Sequence, residues 1–143
     1  MATICQIGCG MIGKVMALDI SKRHDLHLSD LDRSALKEIK TLDPTIRTKC
    51  FDVNDSGMLK SFLRPADIVL LAVPGHMGYK LLEKIIAFKK NIVDISFSPE
   101  NILSLNKKAK DNNVTVIFDA GLAPGIPNFL LGKIDAKENV KSF

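Results

Sequence analysis

Gly8-Cys9-Gly10-Met11-Ile12-Gly13 follows the apolar run Thr3-Ile4-Cys5-Gln6-Ile7 and opens a stretch with helix-like spacing. G-x-G-x-x-G at a strand-to-helix turn is a dinucleotide-binding fingerprint with a physical mechanism. Gly8 permits the tight turn, Gly10 keeps side-chain atoms away from a pyrophosphate, and Gly13 lets the helix pack close to the strand. The pyrophosphate then meets unpaired N–H groups and the positive end of the helix dipole. A second strand-like run, Leu26–Ser29, ends at Asp30, 17 residues past Gly13 and near the offset of a ribose-binding carboxylate. A glycine-rich turn in an unrelated α/β domain would share the glycines but needs no such acid.

A chain of 143 residues, 46% hydrophobic and 25% charged, fits one globular domain. It has no run of 18 apolar residues and starts directly with the first strand, without a basic region and apolar leader. The expectation is a cytoplasmic protein with no membrane partner. The net charge of +4 invites a nucleic-acid reading. Lysines such as Lys37, Lys40, Lys84, Lys89, Lys107, Lys108 and Lys110 sit mostly on the expected exterior faces of helices without interleaved aromatics, so no nucleic-acid partner is expected. Cys5, Cys9 and Cys50 form no C-x-x-C pair, and no cluster has metal-ligand spacing. Cys9 is either a spacer or a thiol whose pKa the turn's N–H groups lower.

Strand and helix signals alternate, the grammar of βαβ units on a parallel sheet. Strands are expected at Thr3–Ile7, Leu26–Ser29, Thr45–Phe51, Ile68–Val73, Ile92–Ile95 and Val114–Phe118. The first helix is expected over Met11–Arg23 with Ile12, Val15, Met16 and Ile20 inward. Asp32, Asn54 or Asp55, and Ser98 before Pro99 are the expected N-caps. The all-apolar fourth strand suits a central position covered on both faces. The fold class that follows is α/β, a Rossmann-type doubly wound parallel sheet of about six strands in the order 3-2-1-4-5-6. Ligands then bind at the carboxyl edge, between strands one and four. Gln6 is a polar misfit in a central strand and needs partners if buried. After strand six, Asp119–Asn128 is rich in glycine and proline. A short helix over Asn128–Ile134 and a polar tail are expected to follow.

Three segments carry a resemblance: Leu71-Ala72-Val73-Pro74-Gly75-His76-Met77-Gly78, Val93–Asn101, and Phe118-Asp119-Ala120-Gly121-Leu122-Ala123-Pro124-Gly125. With them the chain resembles the nucleotide-binding domain of the saccharopine dehydrogenase-like family, nearest its lysine 6-dehydrogenase members. The resemblance covers nearly the whole chain. It implies oxidation of an amino-acid carbon–nitrogen bond, with hydride passing to NAD or NADP. By resemblance, Gly8, Gly10, Met11, Ile12 and Gly13 hold the pyrophosphate and Asp30 the adenosine ribose. Asp52 and Val53 flank the adenine, and Ala72, Val73 and Pro74 line the path toward the nicotinamide. Family members continue into a substrate-binding, dimerising domain. Residues 1–134 are therefore expected to form the cofactor domain and 135–143 the start of a linker to a second one, in a homodimeric parent.

Asp30 favours NAD, since a carboxylate accepts ribose hydroxyls and repels a 2′-phosphate; Arg33 can pair with that phosphate and keeps NADP open. Three residues are candidates for chemistry on the amino-acid substrate. His76 can relay a proton, cap its helix or stay solvated. Glu100 can meet a substrate amine or complement a helix N-terminus. Asp119 ends strand six, as a contact near the nicotinamide or as a loop brace. The competing function is a stand-alone regulatory nucleotide-binding module of the potassium-transport type. Such modules share the glycine turn and the acid but lack the Val73–Gly78 and Asp119–Gly125 segments.

Overall fold

The computed structural model describes residues 1–138. The six strands β1 (Thr3–Ile7), β2 (Asp25–Asp30), β3 (Arg47–Cys50), β4 (Ile68–Leu71), β5 (Asn91–Asp94) and β6 (Val116–Ile117) form one parallel sheet in the order β3-β2-β1-β4-β5-β6. This is the order expected from the alternation. β1 lies at the centre, and Gln6 is in register with Leu28 on one side and Leu70 on the other. The chain leaves β1 toward β2 and β3, then crosses back to β4. The crevice between β1 and β4 opens at that reversal.

Helices α1 (Met11–Ile20) and α2 (Arg33–Leu42) cover one face over Ile4, Leu26, Leu28, Ile39 and Ile46. Helices α3 (Ser56–Leu63), α4 (Gly75–Ala87) and α5 (Asn106–Asp111) cover the other over Ile7, Leu71, Leu82, Ile86 and Ile92. Each element is set by local chemistry. Asp32 Oδ1 accepts from the N–H groups of Ser34 and Ala35, and Asp55 Oδ1 from those of Gly57 and Met58. Each cap is worth about 1 kcal/mol.

Several expectations need correction. Ile12 and Val15 are 66% and 68% exposed, and the residues α1 buries are Gly13 and Ala17. The helix lies too close to the sheet for branched side chains beneath it: a Cβ on Gly13 would sit 2.4 Å from the Gly8 carbonyl oxygen. Small residues four apart therefore make the contact, and the apolar flank faces outward. α1 ends at Ile20 rather than Arg23. β4 stops at Leu71, with Ile68 exposed at its start. β6 is only two residues long. Ser98 caps no helix. Asn101 does, accepting from the Leu103 N–H ahead of a 3-10 turn over Ile102–Leu105 that runs into α5. The final helix, α6, spans Ile126–Glu138, longer than expected at both ends. The rest of the expected linker, 139–143, lies outside the described residues.

Candidate cofactor site

β1 ends in a turn that three glycines shape in three different ways. Gly8 takes φ +105°, and a Cβ there would sit 2.2 Å from the Ala72 carbonyl oxygen, so β1 and β4 approach backbone to backbone. Gly13 lies against the Gly8 carbonyl, as above. A Cβ on Gly10 would meet nothing within 4 Å. The fold itself therefore does not require glycine at position 10. Gly10 also occupies the N-cap of α1 and offers no side chain to the first helical N–H groups, which stay available to an anion.

A cleft of ≈ 330 Å³ opens there, lined by Ile7, Gly8, Gly10, Asp30, Leu31, Phe51, Asp52, Val53, Ala72, Val73, Pro74 and Met77. It runs along the carboxyl ends of β1, β2, β3 and β4. Eight of the residues assigned by resemblance line it. Met11, Ile12 and Gly13 do not; Met11 and Ile12 carry exposed side chains and Gly13 is buried behind the turn. Sequence reasoning missed Ile7, Leu31, Phe51 and Met77 as lining. Leu31 follows Asp30 and Phe51 precedes Asp52 in the chain. Met77 shares its side chain between the core and the cleft.

Asp30 is fixed by two backbone donors. Its Oδ2 accepts from the Cys9 N–H at 2.6 Å and its Oδ1 from the Asp32 N–H at 2.8 Å. Asp52 Oδ1 accepts from Asn54 and turns the chain into α3. The Cys9 thiol is fully buried, and burial, aided by the Asp30 charge, pushes it up to about 11. It is a spacer, not an activated thiolate.

The three candidates for chemistry lie outside the cleft lining. His76 is exposed in the first turn of α4. Glu100 is exposed, accepts from the Ser98 hydroxyl, and precedes the helix cap instead of following it. Asp119 follows β6 with a left-handed backbone, φ 52°, where the chain enters a loop that closes on itself through Gly121 and Gly125. Asp94 ends β5 and is 1% exposed. Its carboxylate accepts from the Ser96 N–H at 2.8 Å and the Ser96 hydroxyl at 2.9 Å. Burial nevertheless raises its pKa, and the nearby Asp119 charge acts in the same direction. No helix among the described residues is long and apolar enough to cross a membrane. Among the described residues no group of three or more His, Cys, Asp or Glu side chains is placed to hold a metal ion.

Comparisons with known proteins bear on the family and the fold. Residues 4–117 match the family described as the saccharopine dehydrogenase NADP binding domain. An alpha-aminoadipic semialdehyde synthase of Arabidopsis thaliana is 33% identical over 97 residues, 64% of this chain and 9% of that protein. A saccharopine dehydrogenase (NADP+, L-glutamate-forming) of Pyricularia oryzae is 32% identical over 75 residues, 52% of this chain and 17% of that protein. The apo structure of saccharopine dehydrogenase (L-Glu forming) from Saccharomyces cerevisiae superposes with a TM-score of 0.82 at 18% identity, over 95% of this chain and 31% of that one. The chain thus spans less than a third of each of these proteins, and the last similarity is one of fold. With a family match over 4–117 and a glycine-turn cleft in the matched segment, this chain belongs to the saccharopine dehydrogenase NADP-binding-domain family.

Proposed function

We propose that this chain binds a nicotinamide dinucleotide as the cofactor half of an oxidoreductase acting on an amino-acid CH–NH or CH–NH2 group. The observation that carries the reading is Gly10: the one glycine of the turn with open space before it faces a cleft that also holds Asp30 at its other strand end. The residues fit the cofactor. The first N–H groups of α1 suit the pyrophosphate, Asp30 the ribose hydroxyls, Phe51 to Val53 the adenine, and Ala72 to Pro74 the nicotinamide side. When bound, the dinucleotide supplies a hydride acceptor. The chain's own part is to bind and orient it.

NAD is preferred over NADP in this proposal. The Asp30 carboxylate is held in place by two N–H groups, and a 2′-phosphate beside it would bring like charges together. Arg33, the first residue of α2, is exposed and is the cation through which NADP would bind instead. The family match favours NADP in name, so the preference is a property of Asp30 in this chain.

Turnover requires more of the polypeptide than residues 1–134. In support, Leu122, Phe129 and Leu130 are 77%, 65% and 55% exposed on the loop and helix that follow the sheet, a surface suited to a substrate-binding, dimerising domain. Asp119, Glu100 and His76 are the candidates on this side for contact with the amino-acid substrate. The regulatory-module alternative is set aside, because the family match extends over 4–117. Amide chemical-shift mapping with NADH tests the proposal. Shifts concentrated at Gly8–Gly13, Asp30 and Val73 are expected; shifts confined elsewhere would overturn it.

A further inference from the structure

Gln6 is the one polar side chain in the middle of β1, and it is fully buried. Its Nε2 donates to the Gly8 carbonyl at 2.8 Å and to the Gly13 carbonyl at 2.7 Å. These two carbonyls mark the two ends of the glycine turn. A single carboxamide therefore bridges the end of the strand and the first turn of α1 from beneath. Its Oε1 has no partner among the described residues. The orientation follows from the acceptors: with the amide reversed, an oxygen would face two carbonyl oxygens. A buried, unpartnered amide oxygen is unfavourable, and an apolar residue would avoid it. What the amide provides at this position is the NH2 group.

Other ties of the turn run to the neighbouring strands, to α2 through the Cys9 thiol and the Ala35 carbonyl, and into α1 through Lys14 N–H and the Gly10 carbonyl. Gly8 N–H donates to the Ser29 carbonyl, Cys9 N–H to Asp30, and Ala72 N–H to the Ile7 carbonyl. Among these, Gln6 is the side chain that ties the end of β1 to the helix whose N-terminus faces the cleft. We infer that Gln6 is a positioning residue for pyrophosphate binding: its amide fixes the first turn of α1 relative to β1 and so aims the helix N–H groups. The inference rests on the proposed dinucleotide site and names a residue outside its lining.

The test compares wild type with Gln6→Leu and Gln6→Met, which keep approximate volume and remove both donors. Binding of ADP-ribose and of adenosine is followed by NMR, with the fold checked by circular dichroism. Loss of ADP-ribose affinity by about ten-fold, with a smaller loss for adenosine, is expected, because misplacement of aligned groups acts first on the pyrophosphate contacts and reaches the ribose only through the Cys9–Asp30 hydrogen bond. Faster hydrogen exchange at Met11–Lys14 should accompany it. A folded variant that binds ADP-ribose like wild type would overturn the role, as would equal losses for both ligands. Loss of fold in both variants would also overturn it, by making Gln6 a determinant of the fold. If wild type itself binds no ADP-ribose, the failure belongs to the dinucleotide site, whichever way the variants behave.

Discussion

The Cys9 amide N–H donates to Asp30 Oδ2 at 2.6 Å, so the acid that ends β2 is bonded to the glycine turn that ends β1. The ribose and pyrophosphate ends of the proposed site are thus coupled through one hydrogen bond. Asp30→Ala removes both this tie and the acceptor for the ribose. A charge-assisted hydrogen bond is worth about 1.5–3 kcal/mol, and about 1.4 kcal/mol is ten-fold in affinity. NADH affinity should therefore fall by about ten- to a hundred-fold. NADPH should lose less, because the variant also relieves repulsion of its 2′-phosphate. Titration of wild type and variant with both cofactors checks this; equal losses would place the acid outside the ribose site.

The glycines of the turn separate in stability. Gly13→Ala forces a Cβ to within 2.4 Å of the Gly8 carbonyl oxygen and 3.2 Å of Gln6 Nε2. Overpacking of this kind costs about 1–3 kcal/mol. Gly10→Ala meets open space, so its unfolding midpoint should match or exceed that of wild type. Urea denaturation of both variants distinguishes them, and equal destabilisation would contradict the packing.

The alternation of strands and helices made the sheet order readable, because a right-handed crossover leaves few arrangements for such a chain. The glycine spacing was likewise legible as backbone packing: Gly8, Gly10 and Gly13 have the separate surroundings that their spacing implies. What failed was the sense of burial where backbones approach closely. Hydrophobic periodicity put Ile12 and Val15 inward, but α1 contacts the sheet through Gly13 and Ala17, and size outweighed hydrophobicity there. Ser98-Pro99 reads locally as a cap, yet the Ser98 hydroxyl engages Glu100 and the helix waits for Asn101. The partners of Gln6 were illegible because they are backbone carbonyls, which no residue type announces.

Asp94 gives the protein a pH dependence of known sign. Burial raises its native pKa above the ordinary 3.8, so the native chain binds this proton more tightly than the unfolded chain does. The contribution is fully present below the ordinary carboxylate value and is lost as pH rises through the raised native value. Asp94→Asn keeps an acceptor for the Ser96 N–H and cannot ionise. The variant should thus gain stability over wild type as pH rises from acid toward neutral. Urea titrations across that range measure the difference. A pH-independent difference would mean that Asp94 titrates alike in both states.

This chain by itself should form no NADH from NAD with lysine or saccharopine. Positioning can lower a barrier by about 7–11 kcal/mol, and in the proposed site the cleft-lining residues serve the cofactor and not the substrate. Absorbance at the NADH band, followed with each substrate, checks this. Robust turnover would locate substrate recognition within residues 1–143.

The central claim is that the cleft before Gly10 holds a nicotinamide dinucleotide. Calorimetric titration of wild type and Gly10→Val with NADH tests it most directly, since Gly10 lines the cleft and a Cβ there meets nothing within 4 Å. The expected result is saturable one-site binding to wild type, tighter than for NADPH, and none to a variant with an unchanged circular dichroism spectrum. No saturable binding to wild type, or undiminished binding to Gly10→Val, would contradict the account.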